Sequence, residues 1–231
     1  MRQHTRTVAA VSHVDGDVDR LARFVEKAGE AGADALAVIG DFGGAAGRGP
    51  DAYRRALVVL GEGELPTFFV PGPGDHPIHE YLAECYNAEI VFPHLRGVHG
   101  GFAFGPGHVL FAGLGGEVVD DRSHVEGAGD RIVQPGWEAE YRLKTLHEFK
   151  DYPRIFLFAT PPAHKGLHAP GSSTLEELVK THAPRAVIAP GDDVRAVELG
   201  RSLVAAAPPL ASGTAALVDV RGQRVQTLKL D

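Results

Sequence analysis

One cysteine, Cys85, stands in 231 residues, which excludes an intramolecular disulfide framework and any cysteine-based zinc site, and points to a reducing compartment. No stretch approaches the ~20 apolar residues that span a bilayer, so no membrane partner is expected. The apolar run after Met1–Arg6 is too short for a signal-peptide core, and the expected location is the cytoplasm. Basic residues are outnumbered: 23 Lys and Arg against 30 Asp and Glu leave a net charge of -7. A broad basic face for a phosphate backbone is therefore missing, and nucleic acid is not expected as a main partner. No G-x-G-x-x-G occurs and no Gly-rich loop ends in GK[ST]. Leu114-Gly115-Gly116 and Gly43-Gly44-Ala45-Ala46-Gly47 are only weak phosphate-cradle candidates. There is no internal repeat and no low-complexity linker, and the whole chain, residues 1–231, reads as one domain.

What is present is an alternation of short apolar runs and helical periodicities. Thr7–Ser12 reads as a strand, and Val18, Leu21, Phe24, Val25 and Ala28 recur at helical spacing. Ala33–Ile39 and Thr67–Val70 read as strands, Asp51–Leu60 and Ile78–Tyr86 as helices. Such βαβ order implies a largely parallel sheet. Ala88–Pro93, Gly101–Phe104 and Val109–Ala112 are apolar stretches between turns and read as antiparallel strands. Trp137–Lys150 reads as an amphipathic helix, Arg154–Phe158 as a buried strand, Thr174–His182 as a helix and Ala186–Ala189 as a strand. Three further strands follow from Ser202 to the end. The pattern predicts an α/β protein with two packed mixed sheets flanked by helices.

In open α/β sheets the loops beyond the strand C-termini form the ligand crevice, so polar residues there are the first candidates. His13 and Asp15 follow the first strand and Asp41 the second. An imidazole and two carboxylates suit manganese, iron or zinc; the competing reading makes Asp15 the cap of the next helix. Asp75 and His76 follow the tight Pro71-Gly72-Pro73-Gly74 turn, where Asp75 is also a candidate cap for the helix after Pro77. Thr160–His168 carries His164, Lys165 and His168, which could meet a phosphate or donate a proton, or could simply be solvated.

The order of these segments resembles the calcineurin-like metallophosphoesterases over nearly the full length, closest to a divergent subgroup of small prokaryotic members. That family carries D-x-H after the first strand, GD after the second, GNH[DE] after the third, a later His before a Pro-Pro pair, and GHxH near the end. Laid on this chain, the first pair falls on His13 and Asp15 in exchanged order, and the bridging Asp on Asp41. The third-motif Asn and His fall on Pro73 and Gly74, followed by Asp75. The fourth-motif His falls on Ala159, and in the last motif, placed at Gly191–Val194, the two histidines become Asp192 and Val194.

The resemblance implies a four-layer α-β-β-α fold and a degenerate site with one divalent ion or none, held by His13, Asp15, Asp41 and Asp192. His76 and His164 take the catalytic places, and Lys165 and Asp75 the places that bind substrate. Two function classes follow: a metal-dependent hydrolase of a small phosphate monoester or diester, and a catalytically silent binding or regulatory module. A nucleotide-binding protein without hydrolysis rests on the Gly-rich loops alone. A small phosphate-containing molecule is the expected partner, and a homo-oligomer is compatible with the sequence.

Overall fold

A computed structural model describes residues 5–44, 49–121, 125, 128–167 and 170–231. β1 (Thr7–Ser12) is buried on both sides, so its residues do not alternate in polarity; Val8 and Ala10 face one apolar cluster, Ala9 and Val11 another. α1 (Val18–Glu30) follows and buries Leu21, Phe24 and Ala28. Its cap is Asp17, whose side chain accepts from the Arg20 amide at 3.0 Å, so Asp15 is not spent on capping. β2 (Ala35–Ile39), α2 (Pro50–Glu62), β3 (Thr67–Val70), α3 (Ile78–Val91) and β4 (Leu95–Gly97) complete the parallel half.

The second sheet contains β5 (Gly101–Phe104), β6 (Leu110–Leu114), β9 (Arg154–Phe158), β10 (Ala186–Pro190), β11 (Arg195–Leu199) and β12 (Ser202–Ala207). β7 (Glu117–Val119) pairs with β8 (Val133–Pro135) in a small parallel ladder. α4 (Gly136–Leu143) and α5 (Ser173–His182) pack on the outer side of this sheet. β13 (Thr214–Asp219) returns antiparallel to β1, and β14 (Arg224–Lys229) closes that edge. The orders are β14-β13-β1-β2-β3-β4 and β11-β12-β10-β9-β6-β5. The two sheets share a core in which Phe68 stacks on Phe111 at 3.7 Å between ring centres, with planes 1° apart. Helices cover both outer faces, and the four-layer α-β-β-α arrangement is the one expected.

Three local readings change. Ala88–Val91 continues α3 rather than forming a strand, because Cys85, Ala88 and Phe92 pack together on the helix side of the first sheet; the strand of that region is β4. The Trp137–Lys150 helix ends at Leu143, and residues 144–149 wind as a tighter 3-10 turn. β11 is an exposed edge strand pairing antiparallel with β12, a position that needs no apolar run.

Candidate functional site

The C-terminal ends of the parallel strands from both sheets open on the same side, and one side chain joins them. The Ser12 hydroxyl donates to the Ala207 carbonyl at 2.8 Å, while the Ser12 amide donates to Pro208. Just beyond, residues 13–16 run beside residues 39–42: His13, Val14, Asp15 and Gly16 amides donate in turn to the carbonyls of Ile39, Gly40, Asp41 and Phe42. This pairing holds His13, Asp15 and Asp41 in left-handed backbone, at φ 48°, 51° and 25°. Three non-glycine residues in that region carry a cost of about 1–3 kcal/mol each, a strain that clusters at ligand sites.

The strain aims the side chains at one another. His13 Nε2 lies 3.7 Å from Asp41 Oδ2. Its Nδ1 lies 3.1 Å from the Ser12 oxygen, whose own hydrogen goes to Ala207, and Nε2 faces the carboxylate. Burial raises the Asp15 carboxyl above its ordinary range; the nearby His13 works against that and the Asp41 charge adds to it.

Asp41 Oδ1 is engaged differently. The Gly74 amide donates to it at 2.6 Å. A Cβ on Gly74 would sit 2.6 Å from that oxygen, and one on Gly72 closer still. The loop after β3 therefore approaches Asp41 with backbone alone, where the family pattern has an Asn and a His.

Asp75 is fully buried. Its Oδ1 accepts from the Phe42 and Gly43 amides at 2.7 and 3.3 Å, and its Oδ2 from the Gly72 amide at 2.9 Å. Burial pushes the carboxyl up to about 7, against the Gly72 amide, which favours the charge. Asp75 thus fastens the loop after β2 to the loop after β3. It faces inward rather than toward a substrate, and it does not cap α3, whose cap position is Pro77.

The other expected site residues lie apart. His76 is half-buried, and its carbonyl accepts from the Tyr53 hydroxyl at 3.4 Å. His164 is half-buried with Nδ1 shielded and unpartnered, and Lys165 is exposed. Their loop leans on β11, where Arg195 donates to the Gly166 carbonyl, and neither bonds to His13, Asp15 or Asp41. Asp192 is exposed in the turn after β10. His168 and residues 45–47 of the Gly-rich loop lie outside the described residues.

Among the described residues, no group of three or more His, Cys, Asp or Glu side chains converges to hold a metal ion. The donor set that the resemblance implies therefore does not fit: Ala159, Pro73 and Gly74 offer no side-chain donor, and one Asp41 oxygen already holds an amide.

One functional-looking acid escaped the sequence reading. Asp120, at the end of β7, accepts from the Ser172 hydroxyl (2.8 Å), the Ser173 amide and hydroxyl (2.8 and 2.7 Å) and the Thr174 amide and hydroxyl (3.2 and 2.9 Å). It closes the N-terminus of α5. Partial burial works against its charge, but the Ser173 and Ser172 bonds outweigh it and hold the carboxyl well below the usual range. The Ser-Ser-Thr run before a helical period was the available signal. A crevice of about 450 Å³ lies beside it, lined by Glu117, Asp120, Asp121, Ala159, Thr160 and Ser172 among others, and its ionisable lining is all acidic. The Gly116 amide ties this crevice to the loop after β3 by donating to Pro71.

A family model described as metallophosphoesterase, calcineurin superfamily, matches residues 49–230. The TT1561 protein of Thermus thermophilus is 41% identical, with 98% of this chain and 100% of that one covered and a TM-score of 0.91. A second solved structure is 22% identical, covers 98% and 99%, and has a TM-score of 0.86. A structure titled a novel archaeal phosphodiesterase is 8% identical, covers 96% and 99%, and has a TM-score of 0.54, a likeness of fold alone. No curated protein matches the chain. With the matched model spanning most of the sequence and the strand-end motifs in family order, the chain belongs to the metallophosphoesterases of the calcineurin superfamily.

Proposed function

We propose that this chain is a catalytically silent member of its family, a binding or regulatory module that keeps the crevice and has exchanged ion chemistry for a self-contained hydrogen-bond network. The observation that carries the reading is the 2.6 Å bond from the Gly74 amide to Asp41 Oδ1, made by a loop that excludes side chains at Gly72 and Gly74. Family members generally use divalent metals. A two-ion site works by clamping both the attacking and the leaving oxygen. Of the four places that would hold the second ion, the Asn and one His are here Pro73 and Ala159, leaving Asp41 and Asp192, and the place of the general acid is Gly74. The crevice beside Asp120 carries Glu117, already paired with Arg131, together with Asp120 and Asp121, and among the described residues no basic side chain lines it to receive a phosphate, so this reading suits a ligand with a neutral or cationic group.

A second reading, a hydrolase of a small phosphate monoester or diester in the cytoplasm with one ion, is favoured by the strained backbone that brings His13, Asp15 and Asp41 together. His76, His164 and Lys165 then supply proton and phosphate contacts only after their loops move inward. One experiment separates the two. Protein purified without chelator is assayed for bound metal, then for hydrolysis of chromogenic mono- and diesters with added manganese. The silent reading expects no metal at micromolar levels and no turnover. Manganese-dependent turnover that Asp41→Asn abolishes ends it.

A further inference from the structure

α3 buries Tyr81, Glu84 and Cys85 and turns the other side to solvent. Leu82, Tyr86, Ile90 and Val91 stand out from it at 47%, 69%, 62% and 66% exposure, and Val58 of α2 joins them. Between the two helices runs a groove of about 250 Å³ whose apolar wall includes Leu57, Val58, Val91 and Phe92. Single exposed apolar residues need no explanation, whereas Leu82, Tyr86 and Ile90, one turn apart along α3, together with Val91 and Val58 beside each other at the groove to α2, mark an interaction surface.

The charges beside this run are self-complementary. Arg54 pairs with Glu84, through Nε at 3.0 Å and Nη2 at 2.9 Å, and Gly61 backs onto the Phe92 ring, so α2 and α3 run side by side in the same direction. Val58 consequently stands level with the last turn of α3. Arg55 lies one turn before Val58 and Glu62 one turn after; both are exposed, and neither has an ion-pair partner among the described residues. A two-fold axis at the level of Val58 reverses both helices. It brings Arg55 to Glu62 of the partner subunit, makes the same pair again on the other side, and lays Ile90 and Val91 over their own copies. This is an isologous contact with an apolar centre and a charged rim.

We propose that the α2–α3 face is a homodimer interface, with a second copy of this chain packed antiparallel across it. The assignment does not depend on what the crevice binds, because every residue used lies on the outer helical layer. Light scattering on the intact chain at micromolar concentration is expected to give twice the 24.5 kDa protomer mass. Tyr86→Glu and Ile90→Glu, at exposed positions and with unchanged circular dichroism, weaken association by about thirtyfold or more and yield monomer. Arg55→Glu weakens it, and adding Glu62→Arg restores it. The proposal is overturned by a monomeric wild type, by a dimer that survives Ile90→Glu, or by a double charge reversal that recovers nothing.

Discussion

Replacing Asp75 with alanine tests the electrostatics of the site more sharply than any other single change. The carboxyl is fully buried, and burial moves its proton affinity from 3.8 to about 7. Below 3.8 both folded and unfolded chains hold this proton. Between 3.8 and 7 the unfolded chain has released it and the folded chain keeps it, so wild-type stability falls as pH rises, by about 1.4 kcal/mol per pH unit. From about pH 5 to about pH 8 that amounts to about 3 kcal/mol, and Asp75→Ala removes it. The variant also strands the Phe42, Gly43 and Gly72 amides at about 1–3 kcal/mol each and leaves a small void, costs that recur at both pH values and cancel in the comparison. His99 and His182, which burial lowers to about 4, take stability away as pH falls below 6.5, equally in both proteins. The readout is therefore the wild-type minus variant unfolding free energy, from denaturant titrations at the two pH values. It should be larger near pH 5 by about 3 kcal/mol. An equal difference, or a larger one near pH 8, refutes the reasoning, because the three amides would then be holding Asp75 ionised.

Further outcomes follow from other contacts. Asp120→Ala removes five bonds at the start of α5 and should lower stability by about 1–2 kcal/mol, a Tm drop of about 4 °C in a scan at neutral pH. Because that carboxyl is held low, its contribution is present above 3.8 and fades only as pH falls below it. Gly74→Ala pushes a methyl against Asp41 and should cost about 1–3 kcal/mol, while Gly29→Ala, in open space on exposed α1, should add about 0.5–1 kcal/mol; paired melts of the two variants read the contrast.

The sequence carries the site's location more fully than its chemistry. β1 and β2 are apolar runs cut off by polar residues, and the C-terminal position of His13, Asp15 and Asp41 follows from that alone. That Asp17 caps α1 in place of the expected Asp15 was not readable, since the bond to the Arg20 amide depends on the backbone of the turn between β1 and α1. Ala88–Val91 misled because β-branched residues at an exposed helix end look like a strand until the face they present is known. The Ser-Ser-Thr run could mark the start of α5, but its pairing with Asp120 was not readable because the two lie more than fifty residues apart.

Composition and periodicity, acting over a few residues, determined the strand–helix alternation, the two sheets and the strand ends where function concentrates, and the order of motifs at those ends carried the resemblance to the family. Tertiary structure alone decided what each acid there does. Asp41 and Gly74 meet across 33 residues, as do Asp75 and Phe42, and that meeting is set by the register of β2 against β3. A carboxylate's role is fixed by its burial and its donors, both of which come from loops distant in sequence, so the same Asp can be a ligand, a cap or an internal fastening until the sheets place those loops beside it.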